Sequence, residues 1–216
     1  MIKINKRLQM IGDLVDPHSF VLDVGCDHGL LEVYLIQKGV KVTGSDLREG
    51  PVNNAKKNLR KYKVFGNIIV ADGLDGYTSE DTVIISGMGG LNIINILQRG
   101  SAKLRNIDTF ILSPNNYVEA VRRYMHRMGY YISNEKLVKD KYIYNIIVFK
   151  RGYRFYTKRD YYFGPVLRKN KDKLFEEYFR KDLESKKIIY KMLNKKDHYR
   201  KFILNKDVKR IESELK

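Results

Sequence analysis

Val21-Leu22-Asp23-Val24-Gly25-Cys26-Asp27-His28-Gly29-Leu30-Leu31 reads as a short apolar strand that turns between two glycines and leaves as a helix. Small residues at such a turn let backbone and ligand approach closely. A dinucleotide-binding turn carries G-x-G-x-x-G, whose second glycine makes room for a pyrophosphate at the helix N-terminus. Here the spacing is Gly25-x-x-x-Gly29, with Asp27 where that middle glycine would stand. A carboxylate at that point repels pyrophosphate and attracts a cationic amino acid or a sulfonium.

Two further strand ends agree. Asp46 closes the next apolar run, 21 positions after Gly25, where it can accept hydrogen bonds from both hydroxyls of a ribose. Asp72-Gly73 closes the third, where a carboxylate can accept from an adenine amino group and glycine lets the backbone near the ring. Taken singly, each strand-end Asp is also a common helix cap or turn former. Together with the glycine loop, three acidic ends at one edge of a sheet point to S-adenosyl-L-methionine (SAM) rather than NAD or ATP.

Outward from this loop, short apolar runs alternate with amphipathic segments through residue 150, the pattern of βα units on a mostly parallel sheet. Strands are expected at 20–24, 41–45, 67–71, 82–86 and 109–113, with helices at 30–38, 51–62, 91–98 and 116–128. Residues 130–133 and 142–149, separated by the charged stretch 134–141, read as an antiparallel hairpin. The expected fold class is therefore α/β, a seven-stranded sheet whose last two strands are an antiparallel hairpin at one edge.

The chain carries 42 Lys+Arg against 25 Asp+Glu, a net charge of +17 in 216 residues. Residues 151–216 hold 21 Lys+Arg and 10 Asp+Glu, a net of +11 that leaves +6 for residues 1–150. The expected division is a ligand-binding sheet domain over 1–150 and a basic helical extension over 151–216. In that extension Leu174, Phe175, Tyr178, Phe179, Ile189, Met192 and Leu193 recur at helical spacing, as do Leu204, Val208, Ile211 and Leu215. Two helices meeting around Asn194 to His198 would each bury one stripe in a hairpin. Positive charge concentrated this way suits a polyanion, because neutralised phosphates release counterions. AT-rich codon usage, visible in the abundant Lys, Asn, Ile and Tyr, is the competing source of the charge.

A single cysteine, Cys26, excludes an internal disulfide framework and a multi-cysteine zinc site, and the histidines lack metal-ligand spacing. No metal is expected. No apolar run approaches the roughly 20 residues a bilayer span needs, so a soluble, cytoplasmic protein without a membrane partner is expected.

At this point the residues resemble a known family. Lys6-Arg7-Leu8, DVGCDHG (23–29), ADGL (71–74), ISGMGG (85–90), LSPN (112–115) and GPVL (164–167) look like the bacterial TrmK-type tRNA (adenine-N1)-methyltransferases. The resemblance covers nearly the whole chain. It implies a Rossmann-like class I methyltransferase sheet with a C-terminal α-helical hairpin or coiled-coil extension, and SAM-dependent methylation of N1 of adenine 22 in the tRNA D-arm. By the resemblance, cofactor contacts fall on Gly25, Asp27, His28, Gly29, Asp46, Leu47, Asp72, Gly73, Gly87 and Met88, with Met88 and Gly89 at the methyl-transfer end. Family members often carry Glu at Asp46, Gln at Ser113 and Ala at Gly29.

Methylation at a ring nitrogen needs no strong base, since N1 attacks with its own lone pair. Asp27 and Asn115 are the candidates for electrostatic or hydrogen-bonding help to the base as it becomes positive. Pro114 and Asn115 would meet the adenine edge and Tyr117 would stack on the ring. The plain alternatives are a turn at 114–116, a core Tyr117, a loop-shaping His28 and a small buried Cys26. Adenine N1 lies on the Watson–Crick edge, so the base must be flipped out, at a cost of a few kcal/mol. Arg7, Arg151, Arg154, Lys158 and Arg159 are the expected phosphate contacts, together with Arg168, Lys169 and Lys171. Phe155, Tyr156, Tyr161, Tyr162 and Phe163 interleave with these charges, suiting either RNA or packing of the hairpin. A monomer acting on tRNA is expected. Competing readings are the same fold acting on DNA, rRNA or a small molecule, and a catalytically silent RNA-binding module.

Overall fold

The computed structural model describes residues 1–194 and 196–216, which divide into two compact units, Met1–Arg168 and Lys169–Lys216. In the first, β1 (Phe20–Val24), β2 (Lys41–Asp46), β3 (Asn67–Val70), β4 (Thr82–Ser86), β5 (Thr109–Ser113), β6 (Tyr130–Lys139) and β7 (Ile143–Arg151) form one sheet. Its order is β3-β2-β1-β4-β5-β7-β6. The first five strands are parallel, and β7 runs antiparallel to both β5 and β6. Helices α1 (Lys6–Asp13), α2 (Leu30–Gln37), α3 (Glu49–Lys61), α4 (Gly90–Arg99), α5 (Ser101–Leu104) and α6 (Val118–Arg127) accompany these strands. Short helices α7 (Lys158–Phe163) and α8 (Pro165–Asn170) follow.

The central strands are nearly continuous apolar runs because both faces are covered. Val21, Leu22, Val83, Ile84, Ile85, Phe110, Ile111 and Leu112 are all essentially inaccessible. The hairpin is longer than the sequence pattern suggested. Residues 134–139 extend β6, pairing to Lys139 opposite Ile143 across a bulge between Ile132 and Asn134. The charged residues there hid a strand because one of them, Glu135, is buried against Arg122.

The compact sheet unit runs past residue 150 to Arg168, and the same pair takes part in holding that segment. Arg122 donates to Glu135 from Nε at 2.8 Å and to the carbonyls of Tyr161 and Tyr162 at 3.0 Å, while Val166 N donates to Glu135 at 3.0 Å. Residues 151–168 are thereby fastened to α6 and β6. Phe163 is fully buried, Tyr156 hydroxyl accepts from Ile132 N, and Tyr161 hydroxyl meets His126 Nδ1. These aromatics therefore serve packing.

The second unit is a helical hairpin of α9 (Lys173–Met192) and α10 (His198–Glu214). Asp172 caps α9 by accepting from Phe175 N at 2.8 Å, and Lys187 pairs with Glu212 at 2.7 Å. Phe175, Phe179 and Ile211 are buried, whereas Ile189 and Met192 are exposed, so the apolar stripe is buried only over part of α9. Of the turn expected around Asn194 to His198, Lys195 lies outside the described residues. Among the described residues no helix is long and apolar enough to cross a membrane.

Candidate active site

Parallel register brings the carboxyl ends of the central strands level. Val24 pairs with Ser45 and with Ile85, Asp46 with Val70, and Ser86 with Ser113. Beyond these ends lie two adjoining cavities. The larger, about 680 Å³, is lined by Gly25, Asp46, Leu47, Asp72, Gly73, Met88, Ile96 and Arg99. The smaller, about 380 Å³, is lined by Arg7, Asp23, Gly25, Asp27, His28, Gly87 and Met88. Gly25, Asp46, Arg48 and Met88 line both, so the two form one crevice along the strand ends.

The turn after β1 is tied to β2: Gly25 N and Cys26 N both donate to Ser45 O, at 2.8 and 2.9 Å. Gly25 takes φ +85°, which L side chains rarely adopt, and a Cβ there would project against the tip of Met88, so glycine suits this turn at the floor of the crevice. Asp27 is exposed and 3.8 Å from His28 Nε2, at the rim. Gly29, expected at the cofactor, lines neither cavity. It is buried as the N-cap of α2, with Ala55 of α3 against it. Burial, with Glu32, Asp23 and Asp46 adding to it, pushes the Cys26 thiol well up, which removes it as a nucleophile.

Asp46 accepts from Arg48 N at 3.0 Å and is only partly exposed. Asp72 holds Arg99 in a two-pronged pair at 2.8 and 2.9 Å, so at the far end of the crevice a guanidinium already shares the carboxylate expected to meet adenine. The loops after β4 and β5 are stitched together. Asn115 N donates to Met88 O at 2.9 Å, Asn115 Nδ2 to Gly87 O at 2.8 Å, and Gly90 N to Asn116 Oδ1 at 3.0 Å. Asn115 is thus left with Oδ1 to offer a base. Pro114 is buried beneath it, and Ser113 turns away to donate to Asn145 O at 2.9 Å. Tyr117 stands at the start of α6 with φ +50° and 59% of its surface exposed, so it is not a core residue.

The profile of the tRNA (adenine(22)-N(1))-methyltransferases matches residues 21–213. The chain belongs to this family. Among its relatives is the tRNA (adenine(22)-N(1))-methyltransferase of Bacillus subtilis, 27% identical over 206 residues that span 89% of this chain and 87% of that one. A Streptococcus agalactiae protein described as an NADB-Rossmann superfamily member superposes with TM-score 0.95 at 27% identity, covering 100% of this chain and 98% of its own. A Streptococcus pneumoniae candidate tRNA (m1A22) methyltransferase, solved in complex with SAM, superposes at TM-score 0.90 and 27% identity, covering 99% and 100%.

Of the basic residues expected at phosphates, this methyltransferase-family chain brings only Arg7 to the crevice. Arg7 lines the smaller cavity, lies beside Gly87 and stacks on Tyr144 at 4.7 Å. Helix α1, which carries it, was not read from the sequence; its Asn5 cap, accepting from Leu8 N at 2.9 Å, was the available signal. Arg151 and Arg154 lie at the opposite edge. Thr109, at the amino end of β5, pairs with Lys150, and Arg151 Nη2 donates to Ile107 O at 3.0 Å. Arg154 stacks on Tyr131 at 4.3 Å. Arg168 pairs with Asp160 and Arg159 stacks on Phe163, both within the α7–α8 segment. Lys158 and Lys169 are exposed, and Lys171 pairs with Glu214 at 3.0 Å inside the helical hairpin.

Proposed function

We propose that this chain transfers the methyl group of SAM to N1 of adenine 22 in the D-arm of tRNA. The observation that carries the reading is the crevice itself: acidic strand ends Asp46 and Asp72 and the open Gly25 floor, in a member of this family. The residues fit the cofactor. Carboxylates match its diol, amino and cationic groups, and the glycine floor admits it where a Cβ would meet Met88. SAM supplies an electrophilic methyl group on a sulfonium. Asp46 holds the ribose hydroxyls, Gly73 and Asp72 border the adenine, and Asp27 and His28 sit beside the amino-acid end. Arg7, placed beside Gly25 and Gly87, is reassigned from tRNA phosphate to the cofactor carboxylate.

The flipped base enters over Gly87-Met88-Gly89, with Asn115 Oδ1 at its polar edge and Tyr117 against its face. N1 attacks with its own lone pair, so the work of these residues is alignment for an in-line transfer, an effect worth up to about 7–11 kcal/mol. Lys158 and Lys169, both exposed, are the proposed phosphate contacts. The test is an unmodified tRNA transcript incubated with SAM and the protein. One methyl group is expected on adenine 22, and none on the A22→G transcript; equal methylation of both would refute the assignment.

Gly90→Ala tests the stitched loops. A Cβ there would lie 2.4 Å from Asn116 O, a backbone atom that can shift only by moving Asn115 and Tyr117 with it. A 1 Å misplacement can cost on the order of 100-fold in rate. Steady-state kinetics should show kcat falling by that order while SAM affinity changes little.

A further inference from the structure

Asp23, at the end of β1, and Glu32, on α2, are both buried, at 4% and 0% exposure, and their carboxyls face each other. Asp23 Oδ1 and both Glu32 oxygens have no side-chain hydrogen-bond donor among the described residues. Asp23 lines the smaller cavity beside Gly25 and Arg7, whereas Glu32 lies behind it with Oε1 against Gly44 of β2. Two carboxylates cannot both stay ionised in a dry contact, since desolvation and mutual repulsion each favour a proton.

We infer that Glu32 is a positioning residue for the methyl donor: it keeps the one proton of the pair, donates it to Asp23, and fixes a single negative charge on Asp23 beneath the donor's ammonium group. The inference rests on the SAM reading above. It gives partners to two of the three orphaned oxygens, one on each side chain. With the proton on Glu32, one of its oxygens becomes a donor and one on Asp23 an acceptor, so the contact that looks repulsive becomes a hydrogen bond.

The surrounding charges are consistent. Arg7 of α1 favours the ionised form of Asp23, Asp46 at the end of β2 and the thiol of Cys26 lie close by, and β4 presents only Ile84 opposite Asp23. Burial raises Asp23 to about 6, against the hydrogen bond from Glu32 and the charge of Arg7, which both lower it. Burial and the neighbouring Asp23 push Glu32 far higher. Donor affinity is therefore full above about pH 6 and falls as Asp23 takes up a proton below it.

Two measurements on the full chain test this. Infrared difference spectra of wild type minus Glu32→Gln at pH 7 should show the carbonyl band of a protonated carboxylic acid; no such band would overturn the proposal without reference to any ligand. In calorimetry with SAM, Glu32→Gln, whose amide still donates to Asp23, should bind within about twofold of wild type. Glu32→Leu, which leaves Asp23 without its donor, should bind about tenfold more weakly at pH 7 and recover as the pH is raised. A loss in Glu32→Leu that is the same at every pH, or a tenfold loss in Glu32→Gln, would show a packing role or an ionised Glu32 and overturn it. Failure of wild type to bind SAM at any pH would sink the cofactor reading, while the infrared band would still decide the protonation of Glu32.

Discussion

Asp46→Asn should weaken SAM binding by about two orders of magnitude. The carboxylate is proposed to accept from both ribose hydroxyls, and each hydrogen bond to a charged acceptor contributes about 1.5–3 kcal/mol. Asparagine retains the Oδ1 that accepts from Arg48 N at 3.0 Å, so the turn after β2 keeps its shape and the loss reports on the ligand. Its Nδ2 is a donor where the carboxylate offered a second acceptor oxygen. Asp46→Glu, which keeps both acceptor oxygens, should recover most of the affinity. Calorimetry that found Asp46→Asn unchanged would remove the ribose from this strand end.

Glu135→Ala should be the most damaging single change to stability. It leaves Arg122, 1% exposed, with its guanidinium buried and no counter-charge, and it frees Val166 N as well. Removing one partner of a buried pair costs about 3–5 kcal/mol. For a unit of this size that corresponds to a fall in melting temperature on the order of 10 °C. Burial alone raises the Glu135 carboxyl, with Arg122 opposing, so the pair persists only while both members are present. The double variant Arg122→Met/Glu135→Leu should melt closer to wild type. Equal melting temperatures for Glu135→Ala and wild type would mean that residues 151–168 are held by their aromatics instead.

The parallel half of the fold was legible because its strands are buried on both faces and punctuated at one edge. Phe20–Val24, Lys41–Asp46 and Thr109–Ser113 stand within a residue of where the apolar runs placed them. Charge was the misleading signal elsewhere. Glu135 and the lysines around it masked half of β6, and the partners that Arg151, Arg154 and Arg168 meet in the fold, Ile107 O, Tyr131 and Asp160, were not visible in the sequence. A basic side chain with a structural partner looks the same in sequence as one without. The crevice was legible in its acids, Asp46 and Asp72, because strand ends carry them to one edge. Two of its features were not. Arg7 arrives on a helix that the apolar pattern did not mark, and Glu32 sits in an otherwise apolar face of α2 where its partner Asp23 becomes visible only after folding.

The account turns on one product. Unmodified tRNA incubated with SAM and the protein, digested to nucleosides and analysed by mass spectrometry, should yield 1-methyladenosine, mapped to position 22 in fragments of the intact tRNA. Methyl transfer to any other atom or nucleotide, or SAM binding without 1-methyladenosine, would contradict it.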